Sequence, residues 1–232
     1  MWALVERSEF DLFDTKRITL LAGHYGSGKT NIAVNWAKYL RDEGKRVSVA
    51  DLDIVNPYFR TKDSAADFEE WGIKLISSPY ANSNVDLPSL PKELYSVVDD
   101  KSFYSVIDVG GDDRGAYALG RFVPKILEEN NYELLLVINK YRPLTPDSTT
   151  TLEIMKEIEA ACRMKFTAIV NNSNLGRDTT AQTVLDSVGY AEEVSRESGL
   201  PIKMTTAEKR LCGELKDKID NLFCLTLQSK LI

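Results

Sequence analysis

A chain of 232 residues with 43% hydrophobic content is long enough to bury a full core, and α/β sheets of this size commonly form one domain. A formal net charge of −6 gives no overall bias towards a polyanion such as nucleic acid, although it leaves room for a local basic patch. Cys162, Cys212 and Cys224 are dispersed and outside any C-x-x-C pair, which argues against a disulfide framework, a zinc site or an iron–sulfur cluster, and His24 is the single histidine.

In chain order, residues 1–16 read as an N-terminal extension whose charges exclude the apolar core of a signal peptide, so a cytoplasmic location is expected. Short β-rich runs follow at Ile18 to Ala22, Arg46 to Ala50, Ile73 to Ser77, Phe103 to Val109, Glu133 to Ile138, Phe166 to Val170 and Pro201 to Thr205. Between them the apolar period turns helical, as in Ile32, Trp36, Tyr39 and Leu40, in Ile154, Ile158 and Ala161, and in Val184, Val188, Ala191 and Val194. Gly44 and Gly199 end two helices, whereas Gly120 and Pro124 predict a kinked or split one. Ser78 to Pro91 reads as a long ordered loop, and Leu222 to Leu227 as an edge strand in preference to a membrane-binding tail. Alternating strands and helices imply parallel strands with crossover helices, hence one three-layer α/β domain with a mostly parallel central sheet.

The segment Gly23-His24-Tyr25-Gly26-Ser27-Gly28-Lys29-Thr30 matches G-x-x-x-x-G-K-[ST], directly after the first strand and before the first helix. Glycines let the backbone wrap phosphates and aim N–H groups at them, and the helix N-terminus adds partial positive charge. In such a loop Lys29 reaches the β- and γ-phosphates, and the Thr30 hydroxyl holds Mg²⁺. Asp51, Asp53 and Asp108 would emerge at carboxyl ends of strands, the edge where ligands bind in such sheets. Asp108 in Asp108-Val109-Gly110-Gly111 has the form of the acid that holds the Mg²⁺ shell, and Gly111 would let a backbone N–H approach the γ-phosphate. Asp51 or Asp53 is then free to orient water, while the other caps a helix or anchors the loop before Pro57.

These residues resemble the MinD/ParA branch of P-loop ATPases, the class that includes nitrogenase iron protein. The Gly23 to Thr30 loop, Asp51-Leu52-Asp53, Asp108-Val109-Gly110-Gly111 and Ile169-Val170-Asn171 carry the resemblance over most of the chain. It implies ATP and Mg²⁺ as cofactors, with Lys29 and Thr30 on phosphate and metal, Asp53 near the attacking water and Asp108 in the metal's outer shell through water. It places Asn171 on the adenine edge and residues after Pro201 in the base pocket. An ATPase cycle acting as a switch for an unidentified protein partner, with an ATP-dependent homodimer, is what the family implies. Neither nucleic acid nor membrane is an expected partner.

One departure stands out. The family's loop carries lysine at its second position, reaching across a dimer to the partner's phosphate, and this chain has His24 followed by Tyr25. Histidine is shorter and only partly charged near neutral pH, so His24 reads either as a phosphate or partner contact or as an outward loop residue. Arg114 is a second candidate cation. Nickel-insertion GTPases of the same class also lack that lysine. Guanine recognition there uses N-K-x-D, however, and Asn139-Lys140-Tyr141-Arg142 offers a guanidinium with no acceptor in place of the carboxylate. A kinase or ligase resembling dethiobiotin synthetase is the other enzyme reading, with Ser78 to Pro91 as its substrate loop.

Overall fold

The computed structural model describes residues 13–52, 64–77, 92–110 and 119–227. Its frame is an eight-stranded sheet of β1 (Ile18–Ala22), β2 (Val47–Asp51), β3 (Lys74–Ser77), β4 (Tyr104–Asp108), β5 (Tyr132–Ile138), β6 (Ala168–Asn171), β7 (Ile202–Glu208) and β8 (Leu222–Leu225). The spatial order is β3-β2-β4-β1-β5-β6-β7-β8, and every pairing is parallel. The expected fold class is therefore observed, and Leu222 to Leu225 is an edge strand as read.

The helices are α1 (Lys29–Asp42), α2 (Ala65–Trp71), α3 (Lys92–Asp99), α4 (Val123–Glu129), α5 (Ser148–Cys162), α6 (Ala181–Leu185), α7 (Val188–Ser198) and α8 (Cys212–Leu215). Strand alternation divides the apolar residues between two layers. Ile18, Leu20, Leu134, Leu136 and Ile138 pack with α4, α5 and α7, whereas Leu21, Leu135 and Val137 pack with α1 and α2. The α1 face of Ile32, Ala33, Trp36, Ala37 and Leu40 is buried on the second layer, at about 1.5–3 kcal/mol for each large side chain.

Local chemistry explains most boundaries. Asp147 caps α5 by accepting from Thr150 N at 2.9 Å, and that backbone bond holds its carboxyl below the usual range. Gly199 ends α7 at φ 74°, as expected, and Pro124 sits in the first turn of α4 after a turn at 121–122. The periodic run from Val184 to Val194 forms two helices, because the Ser187 hydroxyl donates to Val184 O at 2.7 Å and accepts from Asn171 Nδ2 at 3.0 Å. Phe13, assigned to the extension, packs edge-on against Trp36, Tyr39 and Phe223. Ser78 to Pro91 lies outside the described residues.

The reading of the cysteines needs correction, because Cys212 and Cys224 form a disulfide with Cα atoms 6.2 Å apart. Parallel pairing of β7 and β8 puts Cys224 in register with Ala207, and the α8 turn returns Cys212 Sγ to 3.8 Å from Ala207 O. Linear spacing carries no trace of that return. Among the described helices none is long and apolar enough to cross a membrane.

A buried ion pair sits on the α1 side of the sheet. Lys203 Nζ is 2.5 Å from Glu133 Oε2 and lies over the Trp36 ring, while Thr19 donates to Glu133 Oε1 at 2.9 Å. Burial pushes the Glu133 carboxyl above its ordinary range, and Lys203 only partly opposes this. A carboxyl raised in the fold stabilises fully below its ordinary value, and that contribution fades as pH rises through the folded value. Lys203→Met should therefore cost about 1–3 kcal/mol near neutral pH and distinctly less at a mildly acidic pH, because a carboxyl raised by burial gives up its charge more readily there. Urea unfolding at both pH values measures this, and an equal loss at both would contradict the assignment.

Candidate phosphate site

The chain leaves β1 in the middle of the sheet, builds β2 and β3 on one side and returns through β4, then continues on the other side through β5. This reversal opens a crevice at the carboxyl ends of β1 and β4, where ligands bind in open α/β sheets. The loop Gly23 to Thr30 fills it. Gly28 has φ 92°, and a Cβ there would collide with Asn172 Nδ2; at Gly23 a Cβ would collide with Val137 O. Both positions thus require glycine, for conformation and for space.

Ser27 N donates to His24 O at 3.1 Å, closing the loop, and α1 begins at Lys29. Lys29 is 6% exposed and donates to Gly23 O at 2.9 Å and His24 O at 3.2 Å, so its ammonium curls over the loop. Thr30 Oγ1 donates to Asp108 Oδ2 at 2.7 Å, bringing together the two residues predicted for Mg²⁺. Two hard oxygen groups on adjacent elements fit that ion. Asp51 is buried and stands in register with Asp108 on the neighbouring strand. The buried Ser27 Oγ has no hydrogen-bond partner among the described residues, which suits a loop built to enclose a polar ligand.

The other predicted residues are distributed less simply. His24 is half-buried with Nδ1 2.9 Å from Tyr25 O, Gly26 is half-buried too, and the Tyr25 ring is exposed. Asp53, Gly111 and Arg114 lie outside the described residues. Asn171 is fully buried. Its Nδ2 is held by Ser187, and its Oδ1 accepts from Ser173 N and Oγ at 3.3 and 2.7 Å.

Asn172 was missed by sequence reasoning. It donates to Ser27 O at 2.6 Å and accepts from Thr206 Oγ1 at 2.5 Å, tying the phosphate loop to β7. Successive side chains at a strand end point to opposite faces, so once Asn171 faces Ser187, Asn172 must face the loop. That alternation was the available signal.

Asn139 of the N-K-x-D-like segment is also internal. Its Oδ1 accepts from Tyr141 N at 3.0 Å and Asn174 N at 3.2 Å, and its Nδ2 donates to Asn174 O at 3.3 Å. Tyr141 OH donates to Thr183 O at 2.8 Å, and partial burial followed by the nearby Asp186 charge raises its pKa.

Residues 18–198 match the family model of the CobQ/CobB/MinD/ParA nucleotide-binding domain. The chain belongs to this family. A CobQ/CobB/MinD/ParA domain is a P-loop nucleotide-binding domain, which is what the loop geometry independently describes. No curated protein matches the chain in sequence. Among solved structures, cell division protein FtsY of Thermotoga maritima is 21% identical with a TM-score of 0.55, over 82% of this chain and 61% of that one. FtsY of Mycoplasma mycoides is 18% identical with a TM-score of 0.53, over 96% and 66%. Signal recognition particle 54 kDa protein of Aeropyrum pernix, in complex with GDP, is 19% identical with a TM-score of 0.51, over 82% and 41%. This CobQ/CobB/MinD/ParA domain thus spans less than two thirds of each of these chains, and the likeness is one of fold.

Proposed function

We propose that this protein binds Mg²⁺–ATP at the Gly23 to Thr30 loop and hydrolyses it in a cycle that switches its binding to a protein partner, a second copy of the chain included. The observation that carries the reading is the 2.7 Å contact between Thr30 and Asp108 beside the Lys29 ammonium. It places a hydroxyl, a carboxylate and a cation around one crevice, the set that a metal-bound triphosphate requires. Mg²⁺ held there would offset charge on the β- and γ-oxygens. Lys29 would exchange its loop carbonyls for phosphate oxygens, Asp108 would keep the Thr30 hydroxyl oriented, and Asp53 would position the attacking water.

Adenine is the proposed base. The segment 139–142 offers no carboxylate for the guanine N1 and N2 groups, and Asn139 is spent on Asn174 and Tyr141. For Asn171 to meet adenine, its Nδ2 must give up Ser187. The competing guanine reading draws on the GDP in the Aeropyrum pernix structure of the same fold. Displacement of a fluorescent ATP analogue decides between them. ATP should bind at least about tenfold more tightly than GTP. Equal displacement by GTP would sink the adenine assignment, and no binding of any triphosphate would sink the function.

A further inference from the structure

We propose that Arg142 is a phosphate-contacting residue of this site, supplying in cis the cation that the second position of the loop lacks; this rests on the nucleotide-binding reading above. Arg142 follows β5 in sequence, yet its side chain lies against the phosphate loop. A Cβ built on Gly26 would be 3.6 Å from both Nε and Cζ of Arg142 and 3.9 Å from its Cδ, so the guanidinium end of the side chain rests against the loop at its fourth position. Gly26, at φ 75°, carries no side chain that would hold the guanidinium away from the backbone.

The segment that presents Arg142 is stiff. Arg142 N donates to Asn139 O at 3.1 Å, Thr145 N donates to Arg142 O at 3.1 Å, and Thr145 Oγ1 donates to Asn139 O at 2.9 Å. Tyr141 N is held by Asn139 Oδ1, Lys140 N donates to Ser173 Oγ at 3.0 Å, and Tyr190 OH donates to Thr145 O at 3.2 Å. The neighbouring Lys140 is turned away and donates to Asp186 O at 3.1 Å. Arg142 is exposed, and no carboxylate is paired with it among the described residues. The bonded turn fixes where the Arg142 side chain leaves the backbone, and its guanidinium, resting against Gly26 with no carboxylate paired to it among the described residues, is within reach of an anion held by the loop.

The test is equilibrium binding of fluorescent ATP and ADP analogues, with Mg²⁺, to wild type, Arg142→Ala, Arg142→Gln and Arg142→Lys, each checked for fold by circular dichroism. Arg142→Ala and Arg142→Gln should weaken the triphosphate about 10- to 100-fold, and high salt should narrow the gap. Arg142→Lys should recover most of the loss, since the charge survives while the planar fork does not. Triphosphate binding by Arg142→Gln within about twofold of wild type would overturn the proposal. So would equal losses in the Lys and Gln variants, which would mark a packing role without charge. Failure of the wild type itself to bind would instead overturn nucleotide binding.

Discussion

Replacing Lys29 with alanine should lower affinity for the ATP analogue by about 100-fold or more, whereas Asp53→Ala should bind normally and lose turnover. The Lys29 ammonium is buried at the mouth of the loop and held by Gly23 O and His24 O. Its removal takes away charge-assisted contacts to phosphate worth about 1.5–3 kcal/mol each and leaves loop carbonyls without a donor. Because binding and chemistry are assigned to different groups, the two variants should separate in KM and kcat. Titration of both with the fluorescent analogue, alongside phosphate release, measures the separation. Wild-type turnover in Asp53→Ala would reject Asp53 as the residue that positions water, and wild-type affinity in Lys29→Ala would reject the site.

Arg17→Met should destabilise the fold by about 3–5 kcal/mol, the largest stability effect expected from one substitution here. The guanidinium is 6% exposed and forked onto both oxygens of Glu129, with Nη2 2.6 Å from Oε2. It also donates to Phe103 O at 3.0 Å and Val98 O at 3.1 Å, so one side chain joins the start of β1, the end of α3, the start of β4 and the end of α4. Truncation strands a buried carboxylate and two carbonyls. Against a typical total of about 5–15 kcal/mol, such a loss is a large fraction of the stability. Arg17 lies at the amino ends of the strands, opposite the phosphate loop, so nucleotide affinity of the folded fraction should be unchanged. Replacing Glu129 by methionine as well should return part of the loss, because an apolar pair leaves no stranded charge. An unfolding free energy from urea denaturation within about 1 kcal/mol of wild type for Arg17→Met would refute the assignment.

What the sequence determined by itself is the part governed by local rules. Strand and helix periods placed β1, α1 and the loop between them, and the glycine and lysine pattern of that loop has few physical uses. Asp108 was legible for the same reason, since an acid ending an apolar strand must emerge at the sheet's carboxyl edge. Tertiary structure alone decided whatever depends on which strands lie side by side. The Cys212–Cys224 bond follows from β7 and β8 being neighbours, with a turn that returns across 12 residues. The latch from Asn172 to Ser27 spans 145 residues, and it exists because β6 ends beside a loop that follows β1. Arg142 reads in sequence as a misplaced base-recognition residue, yet the turn closed by Asn139 and Thr145 lays it on Gly26. Such contacts carry no period along the chain, because the backbone that aligns them is assembled from elements far apart in sequence.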